Sequence, residues 1–293
     1  MAKTREIKKR IKAVGNIRRI TKTMQMIATS KFARAQQRAV ATRPYTLGIF
    51  ELVTELAATA GNVSHPLIDG PTGGFKPEAK PLTLLITSDR GLCGPYNASI
   101  LRAFMANLRA DQAAREGRIE LVGRKGAGFL KFNRITPSRV HAHFGDKPTF
   151  ADIEALAQEY MAWFTTGEVT GVRIAYVKYI SAGRQAPEIL QLLPLKPPAK
   201  PGESKGPSAQ YEFSPDADEL LGSLLPATVK ATLFQCFNDA IVSEHVARMV
   251  AMKAATDNAG KMGKRLTRKF NRARQAQITT ELTEIISGAA ALS

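Results

Sequence analysis

The chain has 293 residues, of which 44% are hydrophobic and 23% charged, an ordinary globular composition that can bury a core. Its 42 Lys and Arg against 25 Asp and Glu give a formal net charge of +17, which predicts an acidic partner: nucleic acid, an anionic membrane surface or an acidic protein cavity. Cys93 and Cys236 are too few and too far apart for a disulfide framework or a zinc site, and no stretch reaches the ~18–20 continuous apolar residues of a spanning helix.

The first predicted element is a long helix from Thr4 to about Ala60. Apolar residues return every three or four positions, which is typical of a helix that packs against one other helix. Proline is absent until Pro44, which we expect to kink or break the helix near Arg43. The predicted apolar seam consists of Ile7, Ile11, Val14, Ile17, Ile20, Met24 and Ile27.

A compact domain is predicted over residues 76–215, after a stretch rich in turn residues at 61–75. Strands alternate with amphipathic helices in this region, which predicts an α/β sandwich around a mainly parallel sheet. A Pro/Gly/Ser/Lys segment at 196–209 predicts a mobile hairpin loop before a returning strand at 210–215. The strands are predicted at 81–87, 119–123, 171–181 and 187–195, and the helices at 98–111 and 149–167.

The last predicted element is a helix from Ala227 to Leu292, since no proline follows Pro226. Such a helix would be roughly 100 Å long at about 1.5 Å per residue, so it must project from the domain. Its narrow apolar stripe suits one partner helix. We therefore predict an antiparallel coiled coil of residues 1–60 and 216–293, with the α/β domain inserted. The stripe contains Leu233, Phe237, Ala240, Ala247, Ala254, Met262, Leu266, Phe270 and Ala273, and Ile278, Leu282, Ile285, Ala289 and Leu292 continue it.

One predicted loop is arranged like a nucleotide-binding loop. "SDRGLCGPYN" at 88–97 joins a strand to a helix, an arrangement that can cradle phosphate on backbone N–H groups. Its glycines fit neither the dinucleotide fingerprint nor the P-loop, so we favour a tight turn held by Asp89 and Arg90. Cys93 could be a nucleophile, but no histidine or acid stands in a recognisable relation to it. A packed or exposed thiol is the better interpretation.

Two histidines raise the question of a metal. His141 and His143 lie on one face of a predicted strand and could bind a metal with Asp146. Two ligands without a third make a poor site, so we interpret them as surface histidines. Nothing in the chain resembles a Ser-His-Asp set or a catalytic carboxylate pair. We predict no catalytic residue, no metal and no cofactor.

The basic residues form two runs. Residues 3–43 carry thirteen Lys and Arg opposed only by Glu6, and residues 261–274 carry seven more. A nucleic-acid-binding protein would use such runs on phosphates, but it would add aromatic side chains to stack on bases, and only Phe32 and Phe270 are near. A solvated charged face and a basic shaft inside an acidic protein ring are the other two interpretations.

Three segments together resemble a known family. "ITKTMQMIATSKFARAQ" (20–36), "EHVARMVAMKAATDNA" (244–259) and "NRARQAQITTELTEIISGAAAL" (271–292) closely resemble the gamma subunit of F-type ATP synthases. The loop at 88–97 resembles that family's loop, and the similarity runs over essentially the whole chain. The resemblance implies a coiled-coil shaft with a Rossmann-like domain that binds no nucleotide.

The resemblance also implies a function and a set of partners. The shaft would turn inside a ring of alpha and beta subunits, and the globular domain would sit with the epsilon subunit on the c-ring. Delta, a and b subunits would complete an H+-transporting complex that makes ATP, or hydrolyses it in reverse, and nucleic acid would play no part. The family's plastid members carry a cysteine-containing insert that is missing here. A peripheral position at the cytoplasmic face of a bacterial inner membrane follows, and an N-terminal mitochondrial presequence is the weaker alternative.

Particular residues carry roles by this resemblance. The chain departs from the family at Pro95, where glycine is common. It also departs at Gly260 and Gly263. These two glycines mark either a compliant section of the shaft or a place where a well-paired coil tolerates glycine. The beta-subunit contacts implied are Met24, Arg248, Gln275, Thr279 and Glu281. The apolar bearing tip implied is Ile285, Ile286, Ala289 and Leu292, and the contacts with epsilon and the c-ring are Tyr211 and Phe213.

Overall fold

The computed structural model describes residues 2–60, 65–195 and 217–291. The predicted loop at 196–209 and strand at 210–215, with Tyr211 and Phe213, lie outside the described residues, as does Leu292. The helices are α1 (Ala2–Ala60), α2 (Pro66–Asp69), α3 (Tyr96–Ala110), α4 (Gln112–Glu116), α5 (Arg124–Phe132), α6 (Phe150–Thr165) and α7 (Ala217–Ala291). The strands are β1 (Leu82–Ile86), β2 (Arg118–Val122), β3 (Arg139–His141), β4 (Val172–Ser181) and β5 (Arg184–Leu193).

The chain divides into two compact units. The coil unit comprises Met1–Ser30 and Arg248–Ser293, and the sheet unit comprises Lys31–Ala247. Helices α1 and α7 each contribute residues to both units. The two units are described separately below.

The sheet unit is built on five strands in the order β3-β2-β1-β4-β5. All neighbouring strands are parallel except β4 and β5, which pair antiparallel. The first four positions follow the 3-2-1-4 strand order of a Rossmann fold. The prediction of an α/β domain around a mainly parallel sheet is therefore confirmed.

Helices cover both faces of this sheet because its central strand is apolar on both sides. All five residues of β1 are buried, as expected of a central parallel strand. Leu82, Leu84 and Ile86 pack in the core formed with α6, α7 and α1. Leu85 packs in the opposite core, formed with α3, α4 and α5. A capping box between Thr149 and Asp152 fixes the start of α6.

Neither internal proline ends its helix, so of the predicted kink or break near Arg43 the break is excluded, and the predicted start at Ala227 is wrong. Pro44 lies inside α1, and Pro226 lies inside α7, which begins at Ala217. A proline removes the hydrogen bond to the carbonyl four residues earlier. Those carbonyls belong to Val40 and Gly222, both exposed residues, so water can bond them in place of the missing N–H.

Helix α7 also bears on the question of a membrane span. Among the described residues, α7 is the one helix that is long enough and apolar enough to cross a membrane, judged by length and composition. The apolar window is 44% buried inside the protein, and a helix in a protein core gives the same composition. This feature alone therefore does not assign a span.

His141 is buried, so its interpretation as a surface histidine is wrong, whereas His143 is exposed as predicted. The His141 Nε2 atom lies 2.7 Å from Glu120 Oε2, and the Tyr160 hydroxyl donates to the same oxygen at 2.7 Å. The sequence missed this because Glu120 stands in an apolar strand and its partners come from β3 and α6. Among the described residues, no three His, Cys, Asp or Glu are grouped to hold a metal ion.

Alkaline pH is expected to destabilise the sheet unit. Burial raises the pKa of Tyr160, Tyr176 and Cys236, so these groups stay neutral in the folded chain but ionise in the unfolded chain at about pH 9–10. Their stabilisation is complete below that pH and is lost above it, by about 1.4 kcal/mol per pH unit for each group. Urea unfolding between pH 8 and 11 measures this slope.

A matched pair of variants tests the origin of that slope. Tyr176→Phe should reduce the slope of the unfolding free energy against pH by the contribution of one proton, about 1.4 kcal/mol per pH unit. Tyr45→Phe should leave it unchanged, because the Tyr45 side chain is 60% exposed and meets water in both states. Equal slopes in both variants would contradict the assignment.

Candidate interaction surface of the coil unit

Helices α1 and α7 pair antiparallel in the coil unit. The Thr4 hydroxyl donates to Gln277 Oε1 at 3.2 Å, and the Thr256 hydroxyl donates to Thr21 Oγ1 at 2.9 Å. The partner number on α7 falls as the number on α1 rises, so the two helices run in opposite directions. The predicted antiparallel coiled coil is confirmed.

The predicted seam on α1 combined two different stripes. Ile7, Ile11 and Val14 are half-buried, but Ile17, Ile20 and Ile27 are 52–59% exposed. The paired side of α1 continues instead through Thr21 and Ala28 at heptad spacing. A second apolar stripe, displaced by one residue or about 100°, therefore lies to one side of the paired stripe. We call it the outer stripe: Ile17, Ile20 and Ile27, which are exposed, and Met24, which is half-buried.

The stripe on α7 needs a similar correction. Met262 is 53% exposed and Ala254 is also exposed, so these two do not face α1. The inward side has a strict four-three spacing that mixes apolar, small and polar residues, which is why hydrophobicity alone misplaced it. Its buried and half-buried members are Met252, Thr256, Ala259, Gly263, Leu266, Phe270, Ala273 and Gln277.

Beyond Gln277, which bonds Thr4 near the start of α1, no helix among the described residues pairs with α7. Residues 278–290 are all exposed. We call residues 278–291 the tip, a single helix roughly 20 Å long at about 1.5 Å per residue. Its large apolar side chains are 54–71% exposed: Ile278, Leu282, Ile285 and Ile286. Contiguous exposed apolar surface of this kind marks a binding surface.

The residues assigned to beta-subunit contacts all lie in the coil unit. Met24 is half-buried and lines a shallow groove with Arg19 and Ile20. Arg248 is half-buried at the first α7 position of the unit. Gln275, Thr279 and Glu281 are exposed on α7, as is Ala289 of the tip. The Thr279 hydroxyl donates to the Gln275 carbonyl at 3.0 Å, and Gln277 Nε2 donates to Glu281 Oε1 at 2.8 Å.

Most of the positive charge belongs to the coil unit. Its two segments carry 18 Lys and Arg against four Asp and Glu, a formal net charge of +14, whereas residues 31–247 carry 24 against 21. Arg18, Arg19, Lys22 and Lys253 line one open groove of about 520 Å³. We therefore expect the acidic partner predicted from the total charge to bind the coil unit.

The loop at 88–97 is a tight turn, and Arg90 helps to hold it as predicted, because its carbonyl accepts the Ser88 hydroxyl at 2.8 Å. Asn97 Oδ1 accepts the Ser88 N–H at 3.0 Å, and Asn97 Nδ2 donates to Ser88 Oγ at 2.7 Å and to Cys93 Sγ at 3.2 Å. Asp89 instead accepts the Arg124 N–H of α5 at 3.2 Å. Cys93 is 2% exposed, a packed thiol.

The crevice where Rossmann folds bind nucleotides is filled in this chain. Ligands of such folds bind outside the carboxyl ends of the parallel strands. Here Phe237 and Ala240 of α7 pack beside Val122 and Gly123 at the end of β2, and the remaining space is about 30 Å³. Ligand pockets are roughly 300–1,000 Å³, so a nucleotide does not fit.

Comparison with known proteins identifies the family of the chain. The family described as ATP synthase matches residues 3–292. An ATP synthase gamma chain of Rhodopirellula baltica is 40% identical over 300 residues, covering all of this chain and 99% of the relative. One of Desulfitobacterium hafniense is 38% identical over 292 residues, covering both chains completely. The chain belongs to the ATP synthase gamma chain family.

Solved structures extend the likeness to the fold of the family. A chain of the Euglena gracilis mitochondrial ATP synthase rotor in rotational state 1 has a TM-score of 0.61 at 19% identity, covering 94% of this chain and 99% of that chain. A chain of the same enzyme's OSCP/F1/c-ring structure in rotational state 3 has a TM-score of 0.66 at 19% identity, covering 99% and 95%.

The coil has an open gap that three glycines line. Gly15 of α1 and Gly260 and Gly263 of α7 line a groove of about 590 Å³ beside Ile11 and Val14. A Cβ atom built on Gly15 or Gly263 has no neighbour within 4 Å. Gly15 is exposed and Gly263 is half-buried, so the coil is open to solvent beside Gly263.

Filling the gap is expected to stabilise the coil. Gly263→Ala should raise the free energy of local unfolding by about 1 kcal/mol, since alanine is the better helix former and meets open space. Gly126→Ala is the matched control: this helical glycine of α5 would place its Cβ atom 2.5 Å from Leu121 Cδ1, so it should destabilise. Hydrogen exchange of amides at 250–270 and of α5 measures the two effects. Destabilisation by Gly263→Ala would contradict the gap.

Proposed function

We propose that this chain is the central rotor shaft of a rotary ATP synthase, coupling ion-driven rotation to ATP synthesis from ADP and phosphate, or to hydrolysis in reverse. Membership of the gamma chain family supports this role. The observation that carries it in this molecule is the coil unit, which combines a formal charge of +14 with exposed apolar residues at its unpaired end.

The tip is suited to turn inside an apolar sleeve formed by alpha and beta subunits. Its exposed Ile278, Leu282, Ile285 and Ile286 would be covered there, while the small residues 288–291 end the helix without a large side chain that could lock. Burial of apolar surface is not directional. Such a contact therefore holds the tip on its axis and lets it rotate.

The basic coil is suited to an acidic ring because charge attraction needs no fixed register. Exposed Lys and Arg side chains are attracted to acidic segments at any rotational angle. Specific contacts from Met24, Arg248, Gln275, Thr279 and Glu281 would differ among the three beta subunits at each angle. A rotor that contacts one conformation of a subunit better than another shifts that subunit's equilibrium, and this is sufficient for coupling.

The remaining roles complete the proposal. The chain has no catalytic site or cofactor of its own, which the filled crevice supports. Tyr211 and Phe213 meet the epsilon subunit and the c-ring, and the delta, a and b subunits belong to the same H+-transporting complex. The assembly lies at the cytoplasmic face of a bacterial inner membrane, with this chain peripheral to it.

Replacing Gln275 or Arg248 by alanine is expected to weaken coupling more than folding. Gln275 is exposed, so its loss should change the unfolding free energy by less than about 0.5 kcal/mol, while the torque of ATP-driven rotation falls. Thr4→Val is the control on the inward side: it removes the hydroxyl that bonds Gln277, leaves the Gln277–Glu281 contact in place, and should loosen the coil without lowering torque. Unchanged torque in both the Gln275 and Arg248 variants would count against these contacts.

The proposal is tested by isolating the chain with its partners. A tag on the sheet unit, purification from native cell extract and an assay of Mg-ATPase should recover a hexameric ATPase. Deletion of residues 274–293 should remove its sustained turnover. Recovery of nucleic acid alone, lost at moderate salt and without ATPase, would support the nucleic-acid alternative instead.

A further inference from the structure

One arginine joins three elements of the sheet unit. The Arg43 guanidinium of α1 donates to the Tyr179 carbonyl of β4 at 3.2 Å, and the same nitrogen lies 3.7 Å from Asp239 Oδ1 of α7. Gln235 Nε2 donates to that Asp239 oxygen at 2.9 Å, and the Thr42 hydroxyl donates to Gln235 Oε1 at 2.9 Å. We call these five residues the Arg43 node.

The node contains one buried carboxyl group. Asp239 is 3% exposed, and burial raises the pKa of its carboxyl group, while Gln235 and Arg43 act in the opposite direction. A buried carboxylate is tolerated only where a cation and hydrogen-bond donors accompany it. Arginine can serve two acceptors on different elements because its planar guanidinium presents several donors.

The node lies beside a small apolar cluster at one end of β4. Ala35, Ala39 and Val242 are buried together with Tyr179 in a small cluster between α1, β4 and α7. Gln36 Nε2 also donates to the Tyr179 hydroxyl at 3.3 Å. Both long helices are thus tied to the same end of β4, which is the strand between β1 and β5.

We propose that the Arg43 node transmits torque from the sheet into α1 and α7, with Arg43 as the positioning residue. This inference rests on the proposed rotor function. Only α1 and α7 continue from the sheet unit into the coil unit, so any torque on the sheet must reach the coil through them. Side-chain ties at the node prevent each helix from turning about its own axis relative to the sheet.

The test is the torsional stiffness of the rotor in the assembled complex. A bead attached through Lys131→Cys, at an exposed residue of α5, reports the angle of the sheet unit, since the native Cys93 and Cys236 are both buried. The catalytic ring is immobilised, and angular fluctuations are recorded between ATP-driven steps. Arg43→Gln should lose stiffness and show a broader distribution of angles, and Arg43→Lys should restore part of it.

Matched variants separate torque transmission from general stability. Arg173→Gln breaks the Arg173–Asp111 pair of the same unit, which joins β4 to the start of α4 and touches neither long helix; its angle distribution should equal wild type. Thr42→Val removes the bond to Gln235 of α7, and with it only hydroxyl bonds to carbonyls of its own helix; it serves if Arg43→Gln fails to fold.

Three outcomes decide the matter. Broadening in the Arg43 or Thr42 variant but not in the Arg173 variant supports the node. Equal distributions in all variants, or equal broadening in all, would overturn it while wild-type rotation stands. A wild-type complex that hydrolyses ATP without rotating would overturn the proposed function, and with it this inference.

Discussion

Aspartate at Leu282, Ile285 and Ile286 is expected to abolish sustained ATPase turnover of the assembled complex while leaving the isolated chain folded. These side chains are 58–71% exposed in the chain alone, so changing them removes little from its own stability. In an apolar sleeve each would bury surface worth about 1.5–3 kcal/mol as an upper bound, and a buried unpaired charge costs more.

The comparison that isolates this effect uses apolar swaps. Changing the same three residues to methionine keeps their volume and hydrophobicity, so turnover should survive. Circular dichroism of the free chains and steady-state ATPase of reconstituted complexes provide the two measurements. Full turnover by the aspartate variant would mean that the tip has no apolar partner.

Charge reversal on the coil is expected to have the second large effect. Replacing Arg18, Arg19 and Lys22 by glutamate lowers the charge of the coil unit by six and should slow association with the alpha/beta ring by about 10- to 1,000-fold at low salt. The difference should shrink as ionic strength rises, because salt screens exposed charges. Stopped-flow association over a range of salt concentrations measures it.

The control has the same charge change on the other unit. Arg102, Arg109 and Arg115 are exposed on α3 and α4 of the sheet unit, and their replacement by glutamate should alter association with the ring far less. Equal slowing by both triple variants would show that net charge, and not the coil, attracts the ring.

Periodicity in the sequence predicted the strands and the long helices, because each strand of the sheet and each helix of the coil has a strong local pattern. It could not separate the two apolar stripes of α1. Ile17 and Ile20 are as hydrophobic as Ile7 and Ile11, and only the position of α7 decides which pair is covered. The exposed pair is the one available to a partner.

Long-range polar contacts could not be predicted from the sequence either, because they depend on which elements the fold brings together. Glu120 and His141 are 21 residues apart, and Arg43 and Asp239 are on opposite sides of the inserted domain in the chain. No local spacing relates such pairs. The inward α7 residues Thr256 and Gln277 were missed because their polar side chains bond the Thr21 and Thr4 hydroxyls of α1, and hydrophobicity gives no signal for such contacts.

Rotation of the sheet unit against an immobilised alpha/beta ring tests the central claim most directly. A bead on Lys131→Cys reports the angle while ATP is hydrolysed, with neither native cysteine exposed to the label. The rotor account predicts stepwise rotation in one direction that stops when ATP is removed. ATP hydrolysis at full rate with the bead fluctuating about one fixed angle would contradict it.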